Sequence, residues 1–372
     1  MPPSSNDVPT LPRPSRVLIV YSSTPPIIRY FQRAFARAGI ETDYLLADDN
    51  TWFDRWIIHR VNKWAHSLRI YPKTQFAFTD HPLAHKNFRS AELSRKLESF
   101  QPQLVLLIRG ISYNHDVLGK VPCLFGWWVE REERVPEALR EINLFDWYFF
   151  MNRSCVETAH AQGFINSSYL SHSVDPAAFH PIPGSEKKFD MCFVGNWSPK
   201  RQEYLEAALK VSTNIVIYGR KWRKKNLFNR SLFHCVKGTY IEGEDLNRLY
   251  NASRIVLNVT NWGKGEGAKR SGMNMRVLEV PATGSFLLTD GSRELSEFLV
   301  AGEHIAVYEG LDDFSRSIRF WLDRPEARAR IAEQGARHVV ARFSYDRLVD
   351  EILQRYAQLG NTNRPETAAS TA

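Results

Sequence analysis

The chain of 372 residues lacks any long apolar run. Its longest aliphatic stretches, such as Leu104 to Ile108, fall far short of the roughly 20 residues that cross a bilayer as a helix. Cysteine is scarce: Cys123, Cys155, Cys192 and Cys235 are widely spaced with no CxxC pair, so neither a zinc knuckle nor a redox dithiol is written here. Reduced core thiols in a cytoplasm are expected. The N-terminus MPPSSNDVPTLPRPS has no charged start followed by the apolar segment of about 7 to 15 residues that marks a secretory signal, and reads as a floppy leader. No GxxxxGK[ST] occurs, which excludes a Walker A loop. The turn Ser22-Ser-Thr-Pro-Pro26 after the first strand holds no glycine, which disfavours a dinucleotide fingerprint.

What is present is an ordinary globular composition, 43% apolar and 24% charged, long enough for two domains. A net charge of +8 favours anionic partners: nucleotide phosphates, an acidic glycan, a membrane surface or nucleic acid. No nucleic-acid reader motif accompanies it, so nucleic acid is set aside. Arg16 to Tyr21 reads as a strand buried on both faces. A helix follows, with Ser23 or Thr24 as cap, Pro25 in its first turn, Ile27, Ile28, Phe31, Ala34, Phe35 and Ala38 at three-and-four spacing, and Gly39 as stop. Further strands are expected at Glu41 to Leu46, Leu104 to Ile108, Cys123 to Trp128 and Trp147 to Phe150, with helix at Ala91 to Phe100.

A second series starts after Pro181-Ile-Pro-Gly184. Phe189 to Val194 runs into Gly195, Asn214 to Tyr218 into Gly219, Ile255 to Val259 into a Gly-rich loop, and Phe286 to Thr289 into Asp290. Each strand delivers a turn or polar residue at its carboxyl end, where open α/β sheets hold ligands. The economical architecture is α/β, two doubly wound Rossmann-like domains facing across a cleft. The boundaries are a disordered leader 1–15, an N-terminal domain 16–183, a C-terminal domain 184–343, a final helix 344–360 and a disordered tail 361–372.

The loop after Ile255 to Val259 carries Gly263, Gly265, Gly267 and Gly272 with Lys264, Lys269 and Arg270. A helix expected to start near Met273 bears Asn274, Arg276 and Glu279 and stops at Gly284. Glycine permits close backbone approach and a helix N-terminus attracts anions, so the segment suits a diphosphate. A flexible, solvated loop accounts for the glycines equally well.

From Leu246 through Phe343 the stretches LYNASRIVLN, NMRVLEVPATGSFLLTD, ELSEFLVAGEHIAVY and ARFSYDRLVDEIL resemble the C-terminal domain of GT-B glycosyltransferases, group 1 type. The likeness is greatest to the CgeB spore-protein-like family. VGNWSPKRQEYL from Val194 and YLSHSVDPAAFHP from Tyr169 resemble that family's domain-opening strand and linker, and the N-terminal half agrees only in layout. The resemblance implies a metal-independent, hexosyltransferase-like enzyme. It would use a nucleotide-diphosphate sugar as donor substrate, no cofactor, and a glycan, lipid-linked or protein acceptor; the thiols and the basic aromatic stretch from Trp52 add the expectation of a place in the cytoplasm or peripherally at the inner membrane face. It assigns the donor to the C-terminal domain, the acceptor to the N-terminal one, and a final helix crossing back. Glu279 matches the glutamate that accepts from the donor's ribose hydroxyls, a task suited to paired carboxylate oxygens.

Arg276, Arg270, Lys200, Arg201 and Arg220 are candidates for the diphosphate, each competing with an ordinary solvated charge; Asn274, Gly195 and Gly219 complete the candidate nucleotide-sugar set. One departure stands out. Retaining members often carry a second glutamate eight positions before the ribose-binding one, and here that position is Ser271, which leaves retaining and inverting outcomes open. A catalytic base is sought at Glu130 or Glu132 in Phe125-Gly-Trp-Trp-Val-Glu-Arg-Glu-Glu133, with Trp127 or Trp128 stacking on sugar, or at His172; a buried tryptophan pair before a charged helix is the plainer reading. A non-catalytic glycan-binding or coat-assembly protein of the same shape is the alternative from another class.

Two weaker patterns remain. His81 and His85 have HxxxH spacing, but Pro82 opposes the helix that would align them, so no metal is assigned. Trp52, Phe53, Trp56, Ile57, Val61, Trp64 and Leu68 form a stripe among Arg55, Arg60, Lys63 and Arg69. The stripe suits a core-facing helix, which base rates favour, or one lying on a bilayer or a bulky acceptor. Arg220 to Lys225 is a short basic run that suits phosphates, membrane lipid, nucleic acid or plain solvent.

Overall fold

The computed structural model describes residues 13–21, 25–46, 51–72, 75–109, 113–261 and 271–362. Most of the expected leader and tail lies outside these residues, though the last helix, Tyr345–Thr362, runs beyond the expected boundary at 360.

Among the described residues twelve strands form two six-stranded sheets, the arrangement of two Rossmann-like folds. The first sheet holds β1 (Arg16–Tyr21), β2 (Glu41–Leu46), β3 (Leu104–Ile108), β4 (Leu124–Trp128), β5 (Trp147–Phe150) and β6 (Ser167–Tyr169), in the order β2-β1-β3-β4-β5-β6. The second holds β7 (Phe189–Val194), β8 (Ile215–Tyr218), β9 (Val236–Gly238), β10 (Ser253–Asn258), β11 (Leu287–Asp290) and β12 (Ala306–Tyr308), in the order β12-β11-β10-β7-β8-β9 with parallel pairing throughout. Inner strands read as continuous apolar runs because helices cover both faces of a parallel sheet: every residue of β3 and β4 is buried. The direction of winding reverses between β7 and β10, which puts the second sheet's topological switch point at Val194 and Asn258.

By internal contacts the chain divides into two compact units, Met1–Gly126 with Leu144–Asp146 and Asp346–Ala372, and Trp127–Asn143 with Trp147–Tyr345. In the second unit a core of Phe193, Trp222, Tyr308, Phe314 and their aliphatic neighbours packs on the β7–β12 sheet. All four cysteines are free thiols, and three of them are buried.

Two alternatives left open by the sequence are decided. Trp127 and Trp128 are 0% and 2% exposed, and the Trp127 indole donates to the Leu170 carbonyl at 3.1 Å, so they are core and present no face to a sugar. Conversely, the stripe from Trp52 is not a core face. A π-helical turn at Asp54–Ile58 precedes the α-helix His59–Ser67, and Ile58, Asn62 and Ala65 point inward. The wider turn inserts about one residue of rotation, which leaves Trp52, Trp56 and Trp64 outside at 69%, 47% and 74% exposure. His81 stacks on Phe53 at 4.4 Å, and Trp222, within the basic run, is fully buried.

Candidate functional site at the carboxyl ends of the second sheet

The site is built within the second unit, at the ends of β7, β10 and β11. Beyond β7 the chain turns through Gly195-Asn196-Trp197 to Ser198, whose hydroxyl caps the helix Pro199–Leu209 by accepting from the Arg201 amide. Lys200 and Arg201 thus occupy a helix's first turn, where the dipole disfavours cations by a few tenths of a kcal/mol to about 1 kcal/mol. Each is held by something else. Arg201 donates from Nε to the Val259 carbonyl at 2.9 Å and from Nη1 to the Asn196 carbonyl at 2.8 Å, and its guanidinium lies over the Phe193 ring. Burial, and then the neighbouring Arg276, push its pKa down to about 10. Lys200 lies 3.5 Å from Asp290, which also accepts from the Thr260 amide and hydroxyl.

The helix after β10 is shorter than expected, Arg276–Ala282, so Asn274 precedes it and Arg276 opens it. Arg276 bridges the switch point, donating to Asn258 Oδ1 at 2.6 Å and to the Val194 carbonyl, with its guanidinium, like that of Arg201, near the Phe193 ring. Asn258 Oδ1 also accepts from Asn274 at 3.1 Å, while Asn258 Nδ2 donates to Thr289. Two buried polar atoms here, Asn274 Oδ1 and Arg276 Nε, have no partner, a state that native interiors rarely leave unresolved. Glu279, one turn on, is mostly buried; desolvation pushes its carboxyl up to about 7, with Arg276 opposing the shift.

The two glycines at the strand ends explain each other. A Cβ on Gly219, at φ +153°, would lie 2.0 Å from the Gly195 carbonyl oxygen, and that oxygen accepts the Trp222 indole at 2.7 Å. Arg220 is exposed, and its amide donates to Asn196 Oδ1. Arg270 and the lysines of the Gly-rich loop lie outside the described residues, so the structure brings together Gly195, Lys200, Arg201, Gly219, Asn274, Arg276 and Glu279 from the sequence-derived set.

Glu130, Glu132 and His172 belong to the same compact unit. Glu130 lies 3.3 Å from Arg134, and Glu132 accepts from the Ser154 hydroxyl at 2.7 Å. His172 is 6% exposed, packs edge-on to Trp127, leaves Nδ1 unpartnered, and is held neutral by burial, which lowers its pKa to about 4.

Sequence reasoning named Asp290 as a strand-end residue but left it, Asn258 and Glu294 out of the candidate set. Asp290 and Asn258 sit at strand ends, a signal the strand boundaries already contained. Glu294 carried none: it is fully buried, accepting from the Ser271 hydroxyl, the Gly272 amide at 2.6 Å and the Arg153 amide at 3.1 Å. Ser271, where a second glutamate is frequent in the resembling family, is therefore tied to a carboxylate reached through space.

Residues 200–354 match a family model described as glycosyl transferase-like. The fold is shared with the sucrose-phosphate synthase of Thermosynechococcus elongatus (TM-score 0.65, 12% identity, 94% of this chain and 100% of that one). It is shared also with Anabaena HepE in complex with UDP-glucose (TM-score 0.60, 12% identity, 92% and 99%) and with a Rickettsia africae glycosyltransferase (TM-score 0.62, 12% identity, 94% and 99%). The fold is thus that of GT-B glycosyltransferases. Over 304 residues the chain is 23% identical to the spore protein CgeB of Bacillus subtilis (strain 168), covering 77% of this chain and 91% of that protein.

Proposed function

We propose that the protein transfers a sugar, of hexose type, from a nucleotide-diphosphate donor to a glycan, lipid-linked or protein acceptor. The observation that carries this reading is the set of Glu279, Arg276 and Asn274 at the switch point of the second sheet, with a desolvated carboxyl and two unpartnered buried polar atoms awaiting a ligand. HepE was crystallised with UDP and with UDP-glucose, which makes uridine nucleotides the first donors to test.

In this reading Glu279 accepts from the ribose hydroxyls, and Lys200, Arg201, Arg270 and Arg276 offset the charge that grows on the departing nucleotide diphosphate. The acceptor's proton goes to Glu130, Glu132 or His172. His172 is in its free-base form at neutral pH but is a weak base. Because side-chain cations take the part of a metal at the diphosphate, transfer is expected to proceed unchanged in EDTA; a loss restored by a divalent cation contradicts this.

Glu279→Ala is expected to weaken nucleotide binding about 10- to 100-fold, the worth of one or two charge-assisted hydrogen bonds. Calorimetry with UDP checks it, and unchanged affinity removes the assignment. A second reading, a glycan-binding or coat-assembly protein without catalysis, draws on Ser271 and its bond to Glu294. Donor turnover by wild type, lost in the Glu279 variant, separates the two.

A further inference from the structure

Among the described residues, nine of the sixteen large apolar side chains that stand exposed fall between Trp52 and Leu83. They are not loose. On its inner side the helix is tied to the following loop by Asn62, which exchanges two hydrogen bonds with Ala77, by His66 Nε2 on the Gln75 carbonyl at 2.8 Å, and by Phe53 stacked on His81. The platform is thus satisfied from within, and Trp52, Trp56, Trp64, Leu68 and Ile70 are turned to solvent without any packing requirement.

Charge follows the same face. Arg55, Arg60, Lys63 and Arg69 are exposed among these rings, and the Arg60 guanidinium lies 4.7 Å from the Trp56 centroid. The two acids of the stretch, Asp54 and Asp80, do not balance them, and Asp54 is turned to the His85 amide. Tryptophan prefers the boundary between hydrocarbon and water, and lysine and arginine beside it are drawn to anionic headgroups. A surface-lying helix with a basic and aromatic outer face matches an interfacial anchor rather than a soluble surface or a purely apolar protein contact.

We propose that this face docks the protein on the surface of a bilayer containing anionic lipid, with the indoles of Trp52, Trp56 and Trp64 at headgroup depth. The inference rests on the first unit alone and stands whether or not the donor reading of Glu279 holds. The full chain is sedimented with vesicles of phosphatidylglycerol and phosphatidylcholine in equal parts, and with phosphatidylcholine alone.

Wild type is expected to partition onto the anionic vesicles, and less so as salt rises. Arg60→Gln with Lys63→Gln should lower that partition on the order of 30-fold at low salt, from roughly 1 kcal/mol per cation. Trp56→Ala with Trp64→Ala should lower it at least about 10-fold. All four positions are exposed, so the circular dichroism and the UDP affinity of each variant should match wild type. The proposal is overturned by no partition of wild type, by equal partition onto neutral vesicles, or by indifference to both double variants. It is also overturned by a wild-type dimer that the tryptophan variants convert to monomer, which would make this face a contact between copies.

Discussion

Gly219→Ala is expected to destabilise the second unit by about 3 to 5 kcal/mol and to abolish nucleotide binding at concentrations where wild type is saturated. The added methyl would stand 2.0 Å from the Gly195 carbonyl oxygen, 2.5 Å from its carbon and 3.1 Å from the Asn196 nitrogen. All three are backbone atoms that no rotamer change can move. Nor can the loop drift away, because Gly195 donates to the Tyr218 carbonyl at 2.8 Å, Trp197 donates to the Arg220 carbonyl at 3.0 Å, and the buried Trp222 indole holds the Gly195 carbonyl. Displacing the loop also frees the Asn196 carbonyl from Arg201 and so disturbs the cation at the strand ends.

Two control substitutions isolate the cause. Gly195→Ala meets the Phe193 ring at 3.0 Å and Arg201 Nη1 at 3.3 Å, side-chain atoms that yield, so a cost of about 1 to 2 kcal/mol is expected. Gly163, at φ +88° with open space around it, should cost about 1 kcal/mol from backbone strain alone. Urea denaturation orders the three. If Gly219→Ala unfolds at the same midpoint as Gly163→Ala, the close approach of the two strand-end loops is not what the structure presents.

Much of this arrangement was legible in the chain. Val17 to Tyr21 and Met191 to Val194 are unbroken apolar runs closed by turn residues, and the helix from Pro25 announces its start with proline and its stop with Gly39. Glu279 and Arg276 were found because loop, helix and carboxylate lie within one local stretch. Glu294 escaped because its partners Arg153 and Ser271 are 141 and 23 positions away, and nothing local marks a glutamate whose three donors arrive through space. The tryptophans divided: the plainer reading of one group held and the favoured reading of the other did not. Trp127 and Trp128 follow an apolar strand into the core, whereas the periodicity from Trp52 presumed a continuous α-helix and was turned outward by one π turn. Local pattern determines elements; the environment of a charge depends on which strand ends the topology brings together.

The electrostatics of Glu279 and His172 yield the other large effect. The folded state raises the carboxyl from 4.5 to about 7, so between these values the native protein holds a proton that the unfolded chain has released, and stability falls as pH rises. The folded state lowers the imidazole from 6.5 to about 4, so there the unfolded chain binds the extra proton, and stability rises with pH. At 1.36 kcal/mol per pKa unit each amounts to about 3 kcal/mol, of opposite sign over nearly the same window. Both groups sit in one compact unit, so in wild type the two slopes offset and the pH profile of its unfolding carries little trace of either.

Single substitutions should expose them. Glu279→Gln keeps the shape of the protonated side chain and removes its ionisation. It is expected to leave stability near wild type at pH 4.5 and to raise it by about 3 kcal/mol at pH 8, some 6 to 12 °C in Tm for a unit of this size. His172→Phe removes the other slope and should gain most at pH 4.5. A ligand whose ribose hydroxyls donate to Glu279 stabilises its anionic form, so nucleotide affinity of wild type should strengthen as pH rises through 7 and stay flat in Glu279→Gln. The same carboxyl is then costly to the empty fold and required for the filled one, the signature of a binding group kept against stability. A Glu279→Gln protein that is less stable than wild type at pH 8, or whose advantage does not change with pH, would mean that this carboxyl is not desolvated in the ligand-free fold.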